Sequence, residues 1–151
     1  MRRGVLFVSP RREDAMVLSR MLRSVSTSLE HVADLKHART IMQAEPYKVI
    51  LTEANLPDGT WRDVLELARK TEPASEVIVT DASADARFWA EALNLGAYDL
   101  IAQPFATAEV QRILSNACSR PSALPKTATA TLLWFFSHWK NHVYQHRRVR
   151  R

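Results

Sequence analysis

Five short apolar runs recur along the first 118 residues: VLFV (5–8), SLEHV (28–32), VILT (49–52), VIVT (77–80) and DLIA (99–102). Between them the apolar positions change to a period of 3.6 residues. Ala15, Leu18, Leu22 and Val25 share one helix face, and Ala38, Ile41 and Met42 form a shorter stripe. Trp61, Val64, Leu65 and Ala68 make the third, Trp89, Ala92 and Leu93 the fourth, and Val110, Ile113, Leu114 and Ala117 the last. Strict alternation of strand and helix predicts an α/β fold. The first, third, fourth and fifth runs are nearly all apolar, as expected of strands covered by helices on both sides. Right-handed crossovers then predict a parallel five-stranded sheet inside a three-layer sandwich.

In such a sheet, chemistry collects beyond the carboxyl ends of the strands, beside the first strand. The residues expected there are Ser9-Pro10-Arg11, Glu53-Ala54-Asn55, Asp81-Ala82-Ser83 and Gln103-Pro104. A lone carboxylate, Glu53, thus ends a hydrophobic strand and is followed by the turn cluster Asn55-Leu56-Pro57-Asp58-Gly59.

Charge divides the chain in two. Its net charge is +5, yet residues 1–120 carry 15 Lys/Arg against 16 Asp/Glu, while residues 121–151 carry six Lys/Arg and no acid. The high pI belongs to a basic tail on a near-neutral domain, which removes the case for nucleic-acid binding by the whole chain. One domain is expected over residues 1–119, a linker over 120–131 (RPSALPKTATA with its following Thr), and a basic, aromatic-rich tail over 132–151. Leu132, Leu133, Phe136, Trp139 and Val143 in the tail follow helical spacing, and Arg147–Arg151 is nearly all cationic. Trp134-Phe135-Phe136 is bulky enough to seek cover, first against the domain or a partner copy, next at an anionic membrane surface. Weak backbone contact with nucleic acid comes third. His138, His142 and His146, spaced by four, would line one helix face. That spacing suits zinc, but a solvated polar face is the expectation.

Other classes recede. The single cysteine, Cys118, leaves no internal disulfide and no cysteine-based zinc spacing. The apolar run near the N-terminus is too short for an export signal and is followed by Arg11-Arg12-Glu13-Asp14. A cytoplasmic location is therefore expected. With three glycines, no glycine-rich phosphate loop and no nucleophile–base pair, an enzyme is not expected.

The order and spacing of VILTEANLPDG, ALNLGAYDLIAQPF and the closing helix resemble the receiver domain of bacterial two-component response regulators, over residues 4–118. The resemblance implies a CheY-like, flavodoxin-like doubly wound (βα)5 sandwich with strand order 2-1-3-4-5, followed by a C-terminal extension. It also implies a role for each strand-end position, and this chain departs from the pattern at each. The acidic pair that holds Mg²⁺ falls on Ser9 and Pro10. The phospho-accepting aspartate, four residues before the loop proline Pro57, falls on Glu53. The hydroxyl position falls on Asp81, the lysine before a cis-proline on Gln103, and the aromatic switch on Leu100.

Phosphoryl transfer to a carboxylate needs a hard cation between the phosphate oxygens and the acceptor. Ser9 and Pro10 supply no anionic oxygen, Gln103 no positive charge, and glutamate is one methylene too long. The expectation is a pseudo-receiver without Mg²⁺, any cofactor or aspartyl phosphorylation. Glu53 then either imitates a phosphorylated state as a fixed carboxylate or is tolerated drift. Arg11 and Arg12 are the candidate cations for the pocket, because Glu53 and Asp81 would otherwise stand as unrelieved like charges. The implied partner is a protein (a kinase, an output protein or a second copy), met through the surface of the fourth helix, fifth strand and fifth helix. Phe88, Trp89 and Tyr98 lie in or near that segment. The alternative is an adaptor whose basic tail meets nucleic acid or an anionic membrane.

Overall fold

The computed structural model describes residues 2–120. The expected linker and tail, with their histidine row, aromatic cluster and terminal arginines, lie outside the described residues apart from Arg120. Strand β1 (Arg3–Val8) leads to helix α1 (Arg12–Leu22) and a 3₁₀ turn (Arg23–Val25). Next come β2 (Leu29–Val32), α2 (Leu35–Ala44) and β3 (Tyr47–Glu53). A hairpin of two short strands, β4 (Asn55–Leu56) and β5 (Gly59–Thr60), runs into α3 (Trp61–Arg69). The chain continues through β6 (Glu76–Asp81), α4 (Ala86–Asn94), β7 (Asp99–Ala102) and α5 (Thr107–Ser119).

The main sheet is parallel, in the order β2-β1-β3-β6-β7. Numbering only its five long strands, this is 2-1-3-4-5, the flavodoxin-like doubly wound order. Because successive side chains leave a strand on opposite faces, the sheet feeds two separate cores. Val5, Phe7, Val49, Leu51, Ile78 and Ile101 pack with the inner faces of α1 and α5. Leu6, Val8, Ile50, Val77, Val79 and Leu100 pack with those of α2, α3 and α4. The buried residues of α3, α4 and α5 are the very stripes expected from their periodicity.

Local chemistry sets the helix ends. Asp34 caps α2 by accepting from His37 N–H at 2.8 Å, and Asp85 caps α4 by accepting from Phe88 N–H at 2.8 Å. Thr60 and Asp63 form a capping box on α3, with Thr60 N–H donating to Asp63 at 2.8 Å. Helix α4 ends in a Schellman motif: Gly96 N–H donates to Leu93 O at 3.1 Å and Ala97 N–H to Ala92 O at 2.9 Å. Gly96 has φ +106°, a conformation that L side chains resist. Among the described residues no helix is long and apolar enough to cross a membrane.

The hairpin is a departure from the sequence pattern, which marks residues 55–59 as a turn cluster. Asn55 pairs with Thr60 and Leu56 with Gly59, leaving Pro57 and Asp58 as a two-residue turn. Asp58 then reaches back to α2, where its two oxygens accept from Leu35 N–H at 2.8 Å and Lys36 N–H at 3.0 Å. These amides have no partner within the helix, and the hairpin's carboxylate supplies one from a distant part of the chain.

Candidate functional site

Strand register decides which side chains meet at the carboxyl edge of the sheet. Ser9 follows β1 on the side of Val5 and Phe7, and Glu53 ends β3 on the side of Val49 and Leu51. Thr80 sits on the side of Ile78, and Gln103 follows β7 on the side of Ile101. Glu53 is paired in register with Thr80, and Thr80 with Ile101. Ser9, Glu53, Thr80 and Gln103 therefore share one face, above α1 and α5.

Asp81 does not. It pairs with Ala102, one step beyond Thr80, and projects from the opposite face with Val77 and Val79. The residue of β6 that shares this face with Glu53 is the hydroxyl-bearing Thr80 and not Asp81, which lies one residue further along the strand. The expectation that Asp81 opposes Glu53 falls accordingly. The hydroxyl itself is engaged elsewhere, since Thr80 Oγ1 donates to Ile101 O at 2.8 Å.

Glu53 is 9% exposed. Gln103 Nε2 donates to its Oε1 at 3.2 Å, and Arg11 Nε stands 3.9 Å from the same oxygen. Gln103 is thus a donor to the carboxylate as well as a missing lysine, presented after β7 beside a cis bond to Pro104. Arg11 is the arginine that reaches the pocket; its guanidinium end remains largely exposed. Arg12 is exposed at the start of α1. Leu100, at the aromatic-switch position, is 6% exposed and buried in the core on the α4 side, across the sheet from Glu53.

Three hydrogen bonds from protein groups hold the loop after β1. Ser9 N–H donates to Val32 O at 3.0 Å, His31 Nε2 donates to Ser9 O at 2.7 Å, and Arg11 N–H donates to Ser9 Oγ at 3.0 Å. Sequence reasoning misses His31, because nothing in the run SLEHV signals a partner 22 residues away. Its ring also lies 5.8 Å from that of Phe7. These bonds bear on whether a magnesium ion would fit. A hard divalent cation needs several oxygen donors, usually carboxylates. Here Ser9 Oγ already accepts a backbone N–H, Pro10 has no side-chain oxygen, and Asp81 lies on the other face. No group of three or more His, Cys, Asp or Glu suited to a metal occurs among the described residues. Of the four residues that share this face, Glu53 alone carries a carboxylate.

A family model described as the response regulator receiver domain matches residues 5–115. Response regulator protein PilR of Pseudomonas aeruginosa is 26% identical over 84 residues, which make up 56% of this chain and 19% of PilR. The chain thus matches about a fifth of that relative's length. Among solved structures, the signal receiver domain of a Vibrio parahaemolyticus protein described as a Luxo repressor gives a TM-score of 0.72 at 20% identity. That match covers 80% of this chain and 92% of the other. The beryllofluoride-activated NtrC4 receiver domain dimer gives 0.70 at 22%, covering 76% and 94%. At such identities the structural likeness speaks for the fold.

Proposed function

The chain belongs to the response regulator receiver domain family, and from that premise we propose that it signals by protein–protein contact without phosphorylation at residue 53. One observation carries the proposal. The carboxylate at the acceptor position is held by Gln103 Nε2 at 3.2 Å, with Arg11 3.9 Å away, and the acidic-pair positions are Ser9 and Pro10. A phosphoryl group arriving here would meet a negative charge with no hard cation to bridge the two.

Glu53 is then a fixed charge. The coupling that would pass its state onward is absent from its surroundings: Thr80 gives its hydroxyl to Ile101 O, and Leu100 offers no polar tip at the aromatic position. This favours a carboxylate retained in place over one that imitates a switched state. Protein partners of a receiver include kinases, output proteins and a second copy, and the surface of α4, β7 and α5 is the proposed contact. Trp89 is too buried to serve as an anchor there, and Phe88 and Tyr98 pack half-buried against the two cores. The exposed polar side chains of α4 and α5 would supply the recognition.

Incubating the full chain with acetyl phosphate, or with beryllofluoride, in the presence of Mg²⁺ tests the reading. Unchanged intact mass and unchanged amide spectra are expected. A phosphorylated species that disappears in Glu53→Gln would overturn it.

A second reading rests on the charge asymmetry between residues 1–120 and 121–151: the basic tail adapts the receiver to an anionic surface, either nucleic acid or membrane.

A further inference from the structure

At the amino end of β7, far from Glu53, a carboxylate is sealed into the protein. Asp99 is 2% exposed. Its Oδ1 accepts Trp89 Nε1–H at 2.9 Å and Leu100 N–H at 2.7 Å, while its Oδ2 is buried with no hydrogen-bond partner. Buried carboxylates normally satisfy both oxygens, because an ion in a low-dielectric site costs far more than a neutral acid. This one has a single well-used oxygen and an idle one. The bond to Trp89 joins α4 to β7.

The surroundings favour a proton. Burial is the largest influence and pushes the Asp99 carboxyl up to about 6. The Leu100 and Trp89 hydrogen bonds act the other way. From α5, Glu109 adds a like charge and Arg112 offsets part of it. From α4 the group facing it is the Trp89 indole, from β6 its register partner is the apolar Ile78, and beside it in the chain is Tyr98, whose phenol is raised chiefly by burial.

We propose that Asp99 is a proton-operated latch that ties α4 to β7 through Trp89. With Oδ1 engaged by two donors, the idle Oδ2 is the oxygen that takes the proton. The carboxylate form holds the indole N–H by a charge-assisted bond, roughly twice as strong as a neutral one. The protonated form keeps an ordinary bond and is relieved of the cost of burying a charge, so it is the form in which α4 sits most firmly against the sheet. Mild acid thus changes how firmly one helix is held. The latch lies within the α4, β7 and α5 surface proposed above but does not involve Glu53, so it can fail while the reading of Glu53 stands.

The test uses the full chain and no partner. The side-chain carboxyl carbon of Asp99 and the indole N–H of Trp89 are followed by NMR from pH 8 to pH 4, with assignments from Asp99→Asn and Trp89→Phe. Both signals are expected to move together with a midpoint near pH 6. In Asp99→Asn the indole transition is lost, and in Trp89→Phe the carboxyl midpoint rises, because a donor that favours the charged form is gone. Amide exchange along α4 should slow below the midpoint in the native chain and not in Asp99→Asn. A carboxyl midpoint below pH 5, an indole signal that titrates the same way in Asp99→Asn, or a midpoint unmoved by Trp89→Phe would each overturn the latch.

Discussion

Asp99 is the residue whose ionisation the fold resists most clearly, and that has a thermodynamic sign. Its carboxyl is raised from 3.8 to about 6, mainly by burial, so the folded state binds the proton more tightly than the unfolded chain does. This contribution to stability is fully present below pH 3.8 and is lost as pH rises through about 6. Relative to Asp99→Asn, the native chain should therefore gain stability as pH falls from 8 to 4, by about 2 kcal/mol. Urea unfolding of both proteins at a series of pH values measures the difference. A constant difference across that range would contradict the burial argument. At the candidate site, the meeting of Glu53 with Gln103 and Arg11 was legible, because all three follow the carboxyl ends of apolar runs on the sequence. Thr80 was not, since the run VIVT ends on it and the following Asp81 invites a count one too far. The donor role of Gln103 and the His31 bond to Ser9 depend on pairs far apart in the chain, for which periodicity carries no information.

Among the elements, the helices were the most legible, because each buries one stripe and leaves apolar residues at the spacing of a helix face. The β4–β5 hairpin was not. Its strands are two residues each, too short to show alternation, and Pro57-Asp58-Gly59 reads simply as a turn. Yet the hairpin carries weight through Asp58, whose carboxylate accepts from Leu35 and Lys36 N–H groups at the start of α2. Asp58→Ala strands both amides and removes a negative charge from the helix N-terminus. A loss of about 1–2 kcal/mol is expected, seen as a lower urea midpoint with an unchanged slope. Asp58→Asn, which keeps one acceptor oxygen, should lose less. Helix α4 is tied from several directions. Arg62 of α3 pairs with Glu91, and Arg69 donates to the Leu95 carbonyl just past the end of α4. The Trp61 and Phe88 rings lie 5.9 Å apart. With α3 on one side and Asp99 behind it, α4 has few ways to shift that do not break a polar contact.

For the whole molecule, two regions of unlike charge are joined in one chain. Residues 1–120 are nearly balanced and residues 121–151 hold six cations and no anion. If the tail acts as an adaptor, the full chain should be retained on vesicles containing anionic lipid, or on double-stranded DNA, at low salt. Retention should fall steeply with added salt and vanish when residues 121–151 are removed. Sedimentation with each surface distinguishes the two, and retention that survives the truncation would assign binding to the domain instead.

The sheet's two-sidedness also bears on inheritance. Along each strand, neighbouring residues answer to different cores: one helps build the layer beneath the phosphate-type site, the next the layer that seats α4. A lineage carrying such a fold can accumulate substitutions that extinguish the chemistry of one face while selection still acts on the shape of the other. If Glu53 accepts no phosphoryl group, as proposed, this molecule, with its fourth helix seated on α3 and β7, has the form such a history would leave.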